Sequence, residues 1–373
     1  MIKLKKILFL QNCISVHGGV WAVINTLAEN FLKSGYEVKI LALRGEAVLT
    51  SYVETKYPGV KWEVPHMYEV KQELKKFKFI NSLKMINENL KLKKDIKNLK
   101  EDIILYNPDY IICNHYELLD GIPKEFYSRT INFHHASFAF AKENKANLET
   151  LLKYKDKIYF NWLSKETEKL AIEHDFQKNI TIYNPLKYKS DKVSNVIKNR
   201  KLIYIGRIAE EKRIFLLVDI AKKVLENHKD WTLDIYGDGE DYSKLKKIKH
   251  QQINILGVTN NVKECYLKSS ISLNTSRTEG FCLTIPEASE CGVPTISFNF
   301  GEAVHERIIN NETGIIIEND DKKAYIKKLD ELMINSKLLK ELSKNCKAYN
   351  KNLYIENIIK EWIKLFNKID KER

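Results

Sequence analysis

Short apolar runs, each followed by a turn and a polar stretch of helix length, recur along the whole chain. Runs of this kind suit parallel strands that are buried on both faces. Residues 5–10 read as the first strand. A glycine-bearing turn follows, then a helix over 20–33 ended by Gly35, then a strand over 37–43. Strand, glycine turn, helix and strand in that order open a βαβ unit. Further apolar runs lie at 110–113, 130–133, 158–162 and 180–183. After Asn184 and Pro185, the polar stretch 187–201 reads as an interdomain linker. The pattern then restarts: strand 201–205, helix 211–226, strand 231–236, helix 242–249, strand 271–274, short helix 284–290 and strand 294–298. Two doubly wound α/β halves in series are expected, residues 1–186 and 187–350, with a cleft between them. Ligands of such sheets sit beyond the carboxyl ends of the strands, so the turns there are where chemistry is sought. Residues 351–373 carry Ile355, Ile358, Ile359, Trp362, Phe366 and Ile369 at helical spacing. This stripe predicts a last helix that returns to brace the N-terminal half.

A chain of 373 residues, 44% of them hydrophobic, can fill two cores. Its six cysteines, Cys13, Cys113, Cys265, Cys282, Cys291 and Cys346, show no C-x-x-C spacing, which argues for a reducing compartment. The first residues hold too short an apolar run for a signal peptide, and no stretch approaches the ~18 apolar residues of a spanning helix. The chain is therefore expected to be soluble or attached to a membrane face. Its formal charge is +13, and residues 71–100 concentrate ten lysines against three acidic residues. An anionic lipid surface, a phosphate-rich polymer or a nucleic acid would be drawn there; a solvated helix face explains the same lysines.

Candidate chemistry follows the strands. His17, Gly18 and Gly19 come after the first, where adjacent glycines and a helix N-terminus accommodate an anion or simply make a tight turn. Gly206 and Arg207 follow strand 201–205, and Lys212 lies close behind. Two cations at a strand end suit a diphosphate, or they pair with Glu210 and Glu211 as surface ions. Glu279 and Glu287 flank Gly280, Phe281 and Pro286. Thr284 and Glu287 have the spacing of a capping box, whereas Glu279 at a strand end suits hydrogen bonds from sugar hydroxyls. His134 and His135 follow strand 130–133, and His115 follows strand 110–113, places from which a histidine can orient a hydroxyl. The histidines lack zinc spacing, so no metal site is expected. Asp238, Glu240 and Asp241 after Gly237 suit a metal cluster less well than an acidic first helical turn.

Residues 275–298, TSRTEGFCLTIPEASECGVPTISF, resemble the paired-glutamate (E-x7-E) signature of the retaining glycosyltransferases with two facing Rossmann-like domains, the GT-B fold of family 4-like enzymes. IGRIAEEK at 205–212, YGDGED at 236–241, HERIINNETG at 305–314 and HGGVWAVINTLAENFLKSGYEVKIL at 17–41 extend the resemblance over most of the chain. Residues 48–100 show none of it. The resemblance implies an N-terminal acceptor-binding domain and a C-terminal domain for the nucleotide sugar. It implies that Arg207 and Lys212 neutralise the donor diphosphate and that Glu287 holds the ribose. Glu279 would lie near the transferred sugar, with His134 approaching it from the N-terminal domain. Gly18 and Gly19 would face the phosphates, and Gly280 and Phe281 would line the donor site. In the loop after Phe298 this chain departs from the family, with Gly301, Glu302 and His305 before Glu306. A hexose or N-acetylhexosamine from a UDP-linked donor, no obligatory metal, and a glycan, lipid-linked glycan or anionic polymer of the cell envelope as acceptor complete the implied picture. Such an enzyme works in the cytoplasm or at the cytoplasmic membrane face, and nucleic acid is not among its partners. A nucleotide-sugar epimerase or phosphorylase of the same layout, or a non-enzymatic polyanion-binding protein, are the alternatives.

Overall fold

Strand β1 (Lys6–Ile14) has almost no exposed face, because its apolar run is covered by helices on both sides of the sheet. The computed structural model describes residues 4–15, 18–46, 48, 50–58, 79–138 and 145–373; His17 and residues 71–78 of the basic segment lie outside the described residues.

The chain divides into two units, Met1–Pro185 with Ile355–Arg373, and Leu186–Tyr354. In the first, β1 is followed by β2 (Glu37–Gly45), β3 (Val53–Pro58), β4 (Tyr110–Cys113), β5 (Thr130–Phe133), β6 (Tyr159–Trp162) and β7 (Asn179–Thr181). They pair in the order β3-β2-β1-β4-β5-β6-β7, parallel throughout. Helix α1 (Gly19–Lys33) buries Trp21, Ile24, Leu27 and Phe31 on the sheet. It ends at Gly35, whose φ of 85° is the left-handed stop that glycine adopts without strain. Helices α2 (Phe79–Tyr106), α3 (Lys145–Leu152) and α4 (Lys165–Glu173) supply further crossovers.

The second unit orders its strands β10-β9-β8-β11-β12-β13, again all parallel. These are β8 (Lys201–Ile205), β9 (Thr232–Tyr236), β10 (Ile253–Gly257), β11 (Ile271–Asn274), β12 (Thr295–Phe298) and β13 (Ile315–Ile317). The helices are α5 (Ile214–Leu225), α6 (Tyr242–Leu245), α7 (Val262–Leu267), α8 (Thr284–Glu290), α9 (Lys322–Ile334) and α10 (Ser336–Tyr349). The chain moves outward in one direction from β8 through β9 to β10, then returns to place β11 on the other side. The junction of β8 and β11 is therefore the point where strand order reverses.

Three strands were not legible as apolar runs. β3 reads VETKYP, β10 alternates buried and exposed residues as an edge strand does, and β13 spans only Ile315–Ile317. The helix expected over 211–226 is broken. Glu210–Lys212 forms a 3-10 turn, Arg213 takes φ 52°, and the helix begins only at Ile214. The helix expected over 242–249 is reduced to Tyr242–Leu245. Residues 187–201 do not span as a free linker. Ser190 N–H donates to Glu290 at 2.9 Å and Ser194 N–H to the Cys291 carbonyl at 2.8 Å, while Lys347 Nζ donates to the Ser190 carbonyl at 2.5 Å.

Helix α11 (Ile355–Glu372) belongs to the first unit, and its apolar stripe explains why. Phe366 stacks on Tyr110 with ring centroids 4.1 Å apart, and Trp362 meets Phe133 at 5.3 Å. At its end, Asp370 accepts from the Tyr110 hydroxyl at 2.7 Å and pairs with Lys5. All six cysteines are free thiols.

Candidate functional site

The turn after β8 is held from below by the turn after β9. Gly206 N–H donates to the Tyr236 carbonyl at 3.1 Å and Ile208 N–H to the Asp238 carbonyl at 2.8 Å. A Cβ on Gly237, whose φ is 141°, would lie 1.8 Å from the Gly206 carbonyl oxygen, so only glycine fits this approach. Tyr204 donates its hydroxyl to the Arg207 carbonyl at 2.9 Å from beneath. The backbone of this turn is thus fixed before any ligand arrives.

Lys212 closes the 3-10 turn and meets the loop that follows β11. Its Nζ donates to Glu279 Oε1 at 2.6 Å, and the Ser276 hydroxyl donates to the same oxygen at 2.7 Å. The two loops are laced together beside this pair. Thr275 Oγ1 donates to the Lys212 carbonyl at 2.9 Å, and Arg277 N–H to the Glu211 carbonyl at 2.8 Å. The Lys212 and Glu279 side chains are 20% and 15% exposed. Burial is the largest single influence and works against the lysine's charge, but Glu279 beside it, together with Cys282 and Glu211, outweighs that and the Lys212 pKa is raised. A charged ammonium and a carboxylate therefore stand in contact at the strand-order reversal, sixty-seven residues apart in the chain.

Arg207 is placed differently. It is half-exposed, pairing with Glu211 and, at 3.1 Å, with Glu240. The surface-ion arrangement is the one it adopts here, and both acidic partners are open enough to release it to a stronger anion.

Glu287 sits in the first turn of α8, where it makes no capping box. The helix begins at Thr284, its cap position is Leu283, and no side chain caps it. Among the described residues its carboxylate makes no hydrogen bond or ion pair, although Tyr188 donates to its backbone carbonyl at 3.0 Å. It keeps some solvent contact, yet the packing around it pushes its pKa up to about 7, with Lys187 pulling the other way. An under-compensated carboxylate of this kind is ready to accept two hydroxyl donors. Between the glutamates, Gly280 leads into Phe281, which is buried beneath the Arg307 guanidinium with Cζ 4.4 Å from the ring centroid. Cys282 holds φ 59° and accepts from Asn274 Nδ2 at 2.9 Å. In the departing loop, Gly301 takes φ 105° and Glu306 lies 3.5 Å from Arg307.

In the first unit, Gly18 caps α1 and Gly19 is its first residue; the first turn holds no acidic side chain. A Cβ on Gly18 would lie 3.1 Å from the Ser15 carbonyl oxygen. His134 follows β5 and is buried, its ring against Trp162 at 5.3 Å and its Nε2 without a hydrogen-bond partner among the described residues. Burial pushes its pKa down to about 4, a backbone contact at Ser137 working the other way. His135, with Nε2 3.1 Å from Asn114 Oδ1, is pushed down to about 3, and burial lowers His115 as well. At neutral pH these are uncharged rings that both donate and accept. Unpaired side-chain oxygens of Gln11, Asn12 and Asn132 lie on β1 and β5. Polar residues late in otherwise apolar strands were the sequence signal for them, and sequence reasoning passed it over. It also missed Ser276, Tyr204 and Arg213, whose roles depend on loop contacts that spacing does not reveal.

Among the described residues no group of three or more His, Cys, Asp or Glu side chains could hold a metal ion; Asp238, Glu240 and Asp241 form none. No described helix is long and apolar enough to cross a membrane.

Residues 187–351 match the family described as Glycosyl transferases group 1. An uncharacterized glycosyltransferase of Haemophilus influenzae is 27% identical over 96% of this chain and 99% of its own length. The poly(ribitol-phosphate) alpha-N-acetylglucosaminyltransferase of Staphylococcus aureus is 27% identical over 63% of this chain and 49% of its own length. Other curated relatives are matched over as little as 19% of their length. Among solved structures, S. aureus TarM in complex with fondaparinux, alpha-GlcNAc-glycerol and UDP superposes with a TM-score of 0.75 at 15% identity, covering 98% of this chain and 100% of that one. Anabaena HepE with UDP-glucose superposes with a TM-score of 0.69 at 15% identity, covering 97% and 99%. These likenesses give the chain the GT-B fold of two Rossmann-like α/β domains and relate its second unit to the group 1 glycosyltransferases.

Proposed function

We propose that this chain, a relative of the GT-B glycosyltransferases, is a retaining enzyme that moves a hexose or N-acetylhexosamine from a UDP-linked donor to a glycan, lipid-linked glycan or cell-surface polymer. The observation that carries the reading is the Lys212–Glu279 contact where strand order reverses between β8 and β11. A diphosphate arriving there offers Lys212 and Arg207 a stronger anion than the carboxylates they now hold. Glu287, whose carboxylate makes no hydrogen bond or ion pair among the described residues, receives the ribose hydroxyls. Glu279, once Lys212 turns to phosphate, faces the sugar, with Gly280 and Phe281 shaping the donor site. Gly19, the first residue of α1, offers its N–H to the phosphates, while Gly18, whose own N–H donates to the Ser15 carbonyl at 2.8 Å, leaves room for their approach. His134, an uncharged ring, hydrogen-bonds a sugar or acceptor hydroxyl.

In the transfer, the bond from the anomeric carbon to the phosphate oxygen breaks and a bond to the acceptor oxygen forms on the same face. The acceptor proton passes to the departing diphosphate, whose growing charge the two cations stabilise. No metal is needed for this step. The UDP in TarM and HepE supports a uridine donor, and relatives that act on poly(ribitol-phosphate) and poly(glycerol-phosphate) support an anionic polymer acceptor. The lysines of residues 71–100 suit such a polymer or the anionic cytoplasmic face of a membrane.

Screening UDP- and GDP-sugars for donor consumption, with and without glycan and lipid acceptors, tests the reading. Lys212→Ala is expected to slow transfer roughly 30- to 1000-fold, the ~2–4 kcal/mol of one preorganised charged donor, with Arg207→Ala at the lower end because of its exposure. Consumption without any acceptor would point to an epimerase or phosphorylase instead. Full activity in both folded variants would remove the assignment.

A further inference from the structure

Arg213 follows Lys212 directly and holds a backbone conformation that a side chain disfavours, φ 52° and ψ 42°. Such a residue persists where its surroundings over-determine it. Here the surroundings are three loops. Arg213 Nε donates to the Thr275 carbonyl at 2.6 Å and Nη2 to the Ser276 carbonyl at 3.2 Å, both after β11. Nη2 also donates to Asn319 Oδ1 at 2.7 Å, and Nη1 pairs with Asp320, both after β13. The guanidinium lies over Phe298 of β12, 4.8 Å from its centroid, and its side chain is 8% exposed. Thr275 returns the grip, its hydroxyl reaching the carbonyls of Lys212 at 2.9 Å and Arg213 at 3.3 Å.

We infer that Arg213 is a positioning residue for the proposed transfer: its guanidinium locks the loops after β8, β11 and β13 into one block and so sets Lys212 against Glu279. It touches neither side chain. It is bonded to Lys212 on one side, and on the other it holds the carbonyl of Ser276, the residue whose hydroxyl donates to Glu279 at 2.7 Å. Release of the guanidinium frees both ends of the pair together. The planar fork matters, because one ammonium cannot reach two carbonyls and an amide oxygen in fixed directions. This inference rests on the reading of Lys212 as the diphosphate's cation.

The test compares Arg213→Gly, Arg213→Lys, Lys212→Ala and the Arg213→Gly/Lys212→Ala double variant. Each is measured by thermal melting, by calorimetric titration with UDP and by turnover of the UDP-sugar that the wild type consumes best. Glycine adopts φ 52° freely, so Arg213→Gly removes the fork without adding strain. It is expected to lower kcat about 100-fold, the cost of a misplacement near 1 Å, and the double variant is expected to be no slower than Lys212→Ala alone. Arg213→Lys, which keeps the buried charge, is expected to fold with a modestly lower melting temperature and to lose kcat at temperatures where it is fully folded; this variant decides the matter should Arg213→Gly fail to fold. Wild-type kcat in folded Arg213→Gly or Arg213→Lys, or losses that simply add to that of Lys212→Ala, would overturn the positioning role while leaving Lys212 in place. Wild-type turnover in Lys212→Ala, or no binding of UDP or GDP by the wild type, would overturn the underlying reading instead.

Discussion

Glu287 shows what a single residue's surroundings decide. Its pKa in the folded chain is raised to about 7 from 4.5, by burial first. Between those values the folded state binds more protons than the unfolded one, so this group lowers stability as pH rises through that window, and the cost is complete above pH 7. Glu287→Gln removes the cost. It is expected to stabilise the ligand-free protein at pH 8 by on the order of 1–2 kcal/mol, less than the full shift because the carboxyl keeps some solvent contact. The gain should fade toward pH 5, while UDP binding weakens. Urea unfolding at both pH values and calorimetry with UDP measure the two effects. A loss of stability at both pH values would mean that the carboxylate serves the fold. From spacing alone Glu287 was equally a capping-box residue, and only the register of α8, which begins at Thr284, removed that role. Lys212 and Glu279 were each legible as candidates. Their mutual contact was not, because it depends on how two loops fold over adjacent strand ends.

Among the elements, α11 was the one whose partner mattered most. Six apolar residues at helical spacing announced a helix with one face to bury, and the aromatic rings Phe31, Tyr110 and Phe133 of the first unit receive it. Trp362, fully buried among them, anchors the contact. Trp362→Ala is expected to cost about 3–5 kcal/mol of the first unit's stability through the cavity left behind. Urea unfolding followed by hydrogen exchange should show the loss of protection in β1, β4 and α1, with β8 to β13 unchanged. Equal loss in both units would mean that they unfold as one. The break between the 3-10 turn at Glu210–Lys212 and α5 had no local signal. EEKRIFLL reads as continuous helix, and the left-handed Arg213 is imposed by carbonyls from loops more than sixty residues away.

At the scale of the whole molecule, charge is the property that spacing and packing do not explain. The excess of +13 includes the lysine-rich residues 71–100, of which 71–78 lie outside the described residues. Reversal of Lys75, Lys76, Lys93 and Lys94 to glutamate is expected to abolish salt-sensitive binding to vesicles containing anionic lipid, at roughly 1 kcal/mol per lysine. Turnover of a soluble acceptor should survive. Co-sedimentation across ionic strength checks the first part, and a wild type that never binds the vesicles would assign these lysines to a solvated face. The alternation of strands and helices apart from β3, β10 and β13, the restart near residue 201 and the candidate residues Arg207, Lys212, Glu279 and Glu287 were legible in the sequence alone, because burial periodicity and strand-end turns are local properties of the chain. The tertiary structure decided which strands lie side by side, which unit receives α11, that Glu287 caps nothing, and that Lys212, Glu279, Ser276 and Arg213 form one block. Each of these depends on contacts between residues far apart in sequence, and such contacts exist only once the two sheets have formed.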